Sequence, residues 1–119
     1  MDEEYGTRHW PKLRQAGVPA LLRKAAHVWD DYEFCQYVHF SKSDKTVDTF
    51  GALHIAAGAK TENLYDIPPN REGTLSAAIA FVESAIDGDL YAWNDAPGRT
   101  KEDAARLLNR LADELETTI

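Results

Sequence analysis

The feature that most constrains this chain is the return of apolar residues at helical spacing through its second half. Leu75, Ala78, Ile79, Val82 and Ile86 share one face of a 3.6-residue period until Gly88, and Ala104, Leu107, Leu108, Leu111 and Leu115 do so again after Thr100. Stripes of this width must be buried against other elements, so the chain is committed to a helical core. No apolar run approaches the ~20 residues that cross a bilayer, and Met1-Asp2-Glu3-Glu4 is acidic where a secretory signal is basic and then greasy. The expectation is a cytoplasmic protein with no membrane partner.

The 119 residues, 44% hydrophobic and 28% charged, suit one globular domain spanning 1–119. A chain of this size closes a core without disulfides or metal. Its single cysteine, Cys35, has no internal partner, which fits a reducing compartment. Trp10-Pro11 and Gly17-Val18-Pro19 break up residues 1–17, which read as an irregular N-terminal arm.

Four helices are expected. The first starts at Pro19 and runs to about Asp31, with Leu21, Leu22, Ala25, Val28 and Trp29 inward and Arg23, Lys24 and His27 toward water. Asp48 or Thr49 caps the second, which runs through Ala57 to Gly58 and is apolar on most sides. Thr74 caps the third, and Thr100 starts the fourth, supported by a Glu102–Arg106 pair. Between the first two helices, the aromatic and β-branched run Phe34–Phe40, the turn Ser41–Asp44 and Thr46-Val47 predict a small antiparallel β-hairpin whose Phe34, Val38 and Phe40 pack inward. The fold class is therefore α+β, mainly α.

Charge is distributed unevenly. Residues 1–61 hold eight acids and eight bases, whereas 62–119 hold twelve acids and five bases, so the whole net charge of −7 lies in the second half. That half repels nucleic acid, and no direct nucleic-acid partner is expected. The basic stretch Arg8, Lys12, Arg14, Arg23 and Lys24 has no aromatics interleaved in a stacking pattern and reads as a solvated face.

Trp93-Asn94-Asp95-Ala96-Pro97-Gly98-Arg99-Thr100 is the segment densest in specific residue types. Pro97-Gly98 suit the centre of a type II turn, Asn94 or Asp95 can close an Asx-turn, and Thr100 with Asp103 makes a weak capping box. Trp93 reads as a core anchor, and Arg99 as either an anion binder before a helix N-terminus or a donor to a neighbouring loop. His9, His27, His39 and His54 form no i, i+4 pair, and an extended strand keeps Cys35 and His39 apart, so neither metal nor cofactor is expected. His54 reads as a buried histidine within the second helix. Nucleophile elbows, phosphate loops and dinucleotide fingerprints are missing from the sequence, and the carboxylate pairs sit at helix ends.

These residues resemble a family of small proteins from actinobacteria and their phages that is classed as a domain of unknown function. The matching features are Leu22-x-x-Ala25-Ala26, Gln36 after Phe34-Cys35, Gly51-Ala52-Leu53-x-x-Ala56-Ala57 and the Trp93–Thr100 octad, within residues 20–115. Asp48 stands where the family shows a cysteine, and Glu33-Phe34-Cys35 where it shows Gly-Trp before the glutamine. The resemblance assigns no activity, substrate or cofactor.

Three functional readings follow. The leading one is a non-enzymatic protein-interaction module, a host- or phage-encoded accessory protein whose Trp10, Tyr65 and Tyr91 anchor a partner. A variant makes the acidic half a nucleic-acid mimic that inhibits a nucleic-acid-binding protein. The alternative is a small-molecule binder or enzyme with a pocket near the Trp93–Thr100 turn, where Trp93, Asn94, Asp95, Arg99, Gln36 and His54 converge. Homo-oligomerisation through the hairpin edge is compatible with each.

Overall fold

The computed structural model describes residues 9–60 and 63–117. Helix α1 spans Trp10–Gln15, with Pro11 in its first turn and Leu13 buried. Proline's fixed φ suits that position, and so these residues of the expected arm are helical instead of irregular. Gly17, at φ +84°, turns the chain into α2, Val18–Ala26, with Pro19 again in the first turn. Helix α2 ends earlier than its sequence pattern implies and tightens into a 3-10 turn, Val28–Asp30, which still buries Val28 and Trp29. Lys24 and His27 face water as expected, while Arg23 reaches Asp113 at 2.7 Å and Glu116 from its Nε at 2.9 Å.

The expected hairpin is replaced by a mixed three-stranded sheet. Strands β1 (Glu33–Phe34), β2 (Phe40–Ser41) and β3 (Thr46–Val47) lie in the order β1-β3-β2. The β2–β3 pairing is antiparallel, with Phe40 opposite Val47, but β1 runs parallel to β3, with Phe34 also opposite Val47. Residues 35–39 leave the sheet as a loop in which Tyr37 takes φ 71°. Their strand propensity is overridden by hydrogen bonds to a distant segment, described below. Phe34 and Phe40 pack on the core, whereas Val38, predicted to do the same, is 53% exposed.

Helix α3, Thr49–Ala56, begins where the Asp48 carboxylate accepts the Gly51 N–H at 2.6 Å. Gly51 is obligatory for a packing reason: a Cβ there would lie 2.4 Å from the His39 carbonyl oxygen and 2.6 Å from Val47 Cγ2. The small side allows the helix to sit directly against the sheet. Gly58, at φ +99°, follows the helix end.

Helix α4, Pro69–Ile86, starts five residues before Thr74, because Pro69 already fits a first turn. Thr74 is no cap; its hydroxyl donates to the Ala16 carbonyl at 2.8 Å and ties α4 to the α1–α2 junction. A further helix that the sequence pattern did not announce, α5 (Leu90–Asn94), is capped by Asp89, which accepts the Tyr91 N–H. Helix α6, Lys101–Thr117, opens with the expected capping box: the Thr100 N–H donates to Asp103 and the Thr100 hydroxyl accepts the Asp103 N–H. Arg106 pairs with Asp103 at 3.4 Å in place of the expected Glu102.

Six helices among the described residues therefore stand where four were expected. Helix α2 is the centre of the packing, contacting α6, α3 and α4. Val18, Leu22, Leu53, Val82, Leu108 and Leu115 are fully buried around it. Each such aliphatic side chain contributes about 2 kcal/mol relative to exposure. This framework leaves the start of α3, the 35–39 loop and α5 together at one corner.

Candidate functional site

Asn94 ties that corner together. Its side-chain oxygen accepts the Thr49 N–H at 2.9 Å and the Thr49 hydroxyl at 2.7 Å, and its amide nitrogen donates to the Cys35 carbonyl at 3.1 Å and to Asp95 at 3.0 Å. The residue is 1% exposed. The same Asp95 oxygen accepts the Tyr37 N–H, and Gln36 donates from its amide to the carbonyls of Asn94 and Ala96. Three residues singled out in the sequence, Gln36, Asn94 and Asp95, are thus brought together and hydrogen-bonded to one another and to the backbone around them. They fold residues 35–37 onto α5 and hold both against the start of α3.

Trp93 and Arg99, from the same octad, face elsewhere. The Ala96–Arg99 turn closes through the Arg99 N–H to the Ala96 carbonyl, with Gly98 at φ +80°, which is type II geometry. The turn folds the arginine back: its Nε donates to the Trp93 carbonyl at 2.8 Å and its guanidinium lies 3.9 Å over the indole. Trp93 is half-buried, packed against the core without being fully enclosed by it.

His54 belongs to a third group, which the sequence reading left mostly unassembled. Its ring lies 4.1 Å from Phe50, which stacks with Tyr91 at 5.1 Å; His39 contacts Phe50 at 4.8 Å and Tyr91 at 5.1 Å, and Tyr65 meets His54 edge-on at 5.9 Å. Tyr65 is 69% exposed and Tyr91 41% exposed, while His54 between them is buried, so the cluster reaches the surface at its two tyrosines. Trp10, the third proposed anchor, is instead half-buried, with its ring edge-on to Phe81 and its indole N–H enclosed.

Within the aromatic face, His39 Nδ1 pairs with the buried Asp48 carboxylate at 2.8 Å while the other carboxylate oxygen caps α3. Burial pushes the Asp48 carboxyl up, opposed by the Gly51 N–H and by His39. Burial pushes His54 down, partly offset by its bond to the Phe50 carbonyl at 2.9 Å. The Cys35 thiol and the Tyr91 phenol are raised, chiefly by burial, and Asp103 is lowered by the Thr100 N–H.

A histidine on a buried carboxylate resembles a base held by its orienter. Among the described residues, however, no serine, threonine or cysteine side chain bonds to His39 or His54, so the nucleophile of such an arrangement is missing. No group of three histidine, cysteine, aspartate or glutamate side chains among the described residues is placed to hold a metal ion. No helix is long and apolar enough to cross a membrane.

The His39–Asp48 pair was within reach of the sequence: extending the Phe40–Val47 register by one residue sets position 39 opposite 48. A model of DUF6197, described as a family of unknown function, matches residues 13–114. Comparison with curated proteins and with solved structures finds no match.

Proposed function

The chain belongs to DUF6197, a family of unknown function, and we propose that it is a non-enzymatic interaction module that binds a cationic segment of another protein on its aromatic face. The observation that carries this reading is the unbroken line of rings from Tyr91 through Phe50, His39 and His54 to Tyr65, with both terminal tyrosines open to solvent. Tyrosine supplies large contact area at low conformational cost and is enriched among residues that dominate binding energy.

Charge selects the partner. Asp66 follows Tyr65 and pairs with Lys60 at 3.2 Å, Asp89 lies two residues before Tyr91, and Glu83 and Asp89 both press on the Tyr91 phenol electrostatically. An arginine- or lysine-bearing segment gains cation–π contact with the rings and ionic contact with this rim. The engagement of Gln36, Asn94 and Asp95 in fixing the backbone supports placing the function here and not at the octad's polar groups. An accessory role in the cytoplasm of an actinobacterium or its phage belongs to the same reading, on the strength of the motif resemblance.

The test is affinity capture with wild-type protein, followed by titration of the purified partner against wild type and a Tyr65→Ala/Tyr91→Ala variant. Loss of the two rings is expected to weaken binding by about a hundredfold, at roughly 1–2 kcal/mol each, in a variant that still unfolds cooperatively. Equal affinity for the two proteins refutes the proposal.

A further inference from the structure

On another side of the molecule, three of the five bases in residues 62–119 gather in one place. Arg99, Arg106 and Arg110 line a cleft of about 400 Å³ between the end of α4 and the first turns of α6, floored by Trp93, Ile86 and Leu107. In a half of the chain carrying twelve acids, this concentration of guanidinium groups is a local reversal of sign. Their protein partners are sparse. Among the described residues, Arg110 pairs with Glu114 alone, at 3.9 Å, and Arg106 with Asp103 alone, at 3.4 Å. Arg99 places Nε on the Trp93 carbonyl, and its terminal nitrogens have no hydrogen-bond acceptor among the described residues.

Asp103 also lines the cleft: one carboxylate oxygen accepts the Thr100 N–H as half of the capping box and the other faces Arg106, leaving one acid against three guanidinium groups. A second cavity of about 240 Å³ shares Ala85 and Arg110 with the first and continues to Trp10 and Phe81. Its wall includes the indole of Trp10, whose enclosed N–H has no acceptor among the described residues. The two adjoining cavities thus offer a cationic end, prepared by the stacked and tethered Arg99, and an aromatic end at Trp10 and Phe81, with Glu114 beside Arg110 in its wall.

We infer that this groove binds a small aromatic phosphomonoester, its phosphate held by Arg99, Arg106 and Arg110 and its organic part directed toward Trp10 and Phe81. Guanidinium groups match phosphate oxygens in pairs, and a head group already fixed on an indole loses little freedom on binding. The site is separate from the aromatic face and does not depend on its role.

Phenyl phosphate is the probe, titrated into the full chain while the indole N–H signals are followed by NMR; inorganic phosphate and phenol serve as separate arms. Saturable shifts of the Trp93 and Trp10 signals are expected, with phenyl phosphate binding at least about tenfold tighter than either arm alone. Arg106→Gln should weaken it about tenfold at an unchanged melting temperature, and Arg99→Gln about tenfold with a slightly lowered one, since it also removes the contacts to Trp93. Equal affinity for inorganic and phenyl phosphate overturns the assignment of the aromatic end. Failure to saturate at ~10 mM, or indifference to both substitutions, overturns the site.

Discussion

Asn94 and Arg99 stand five positions apart in one motif and do opposite things. Both hydrogen-bonding ends of the Asn94 amide are occupied, on Thr49, Cys35 and Asp95, and the side chain is sealed from water. Arg99 is tied by one nitrogen and lies half-buried along an open cleft. A run of distinctive residues is therefore not a single functional unit. One part joins three pieces of chain, and the other leaves donors available to something outside the protein.

Paired substitution is the strongest way to break this contrast. Asn94→Ala strands the Thr49 N–H, the Thr49 hydroxyl and the Cys35 carbonyl in a buried setting, at roughly 1–3 kcal/mol per orphaned group. The expected loss is about 3 kcal/mol or more in urea denaturation. Arg99→Ala removes one hydrogen bond and one cation–π contact at a partly exposed site, for about 1 kcal/mol. Equal losses for the two variants would mean that the division is wrong.

A smaller effect sharpens the reading of the aromatic face. The depressed pKa of His54 means that, as pH falls below the ordinary value of 6.5, the unfolded chain takes a proton that the folded chain resists. Stability from this residue is complete above that pH and declines below it, until the folded imidazole also protonates. Asp48 acts with the other sign: its raised pKa makes the folded state the better proton acceptor as pH falls toward 3.8. His54→Gln should therefore flatten the fall in stability between pH 7 and 5, measured by denaturation at stepped pH. A slope as steep as that of wild type would assign the acid sensitivity to other groups.

The extent to which the sequence disclosed these features follows the range of the interactions. Local rules reached far: the α6 stripe, the Thr100–Asp103 box, the Pro97-Gly98 turn and the Asp48 cap all depend on residues within four positions of one another. Proline in the first turn opens α1 and α4, a signal as local as the others, and it sets the start of α4 at Pro69 instead of Thr74. The parallel β1–β3 pairing was out of reach, since what bends residues 35–37 out of the sheet lies in α5 and the turn after it. The aromatic face joins rings from three separated stretches, and only the hairpin register pointed to any of its pairings.

The long reach of the Asn94 clasp also governs the order in which the protein can be finished. Contacts that fix residues 35–37 come from partners 58 to 60 positions later. During translation, the loop at residues 35–37 leaves the ribosome without these partners, and it stays without them until the turn after α5 emerges. Protease added to stalled nascent chains should cut between residues 35 and 39 at every length short of that point. The cut should vanish once Asn94 and Asp95 have cleared the exit tunnel, so that maturation is timed by a side-chain amide near the end of synthesis.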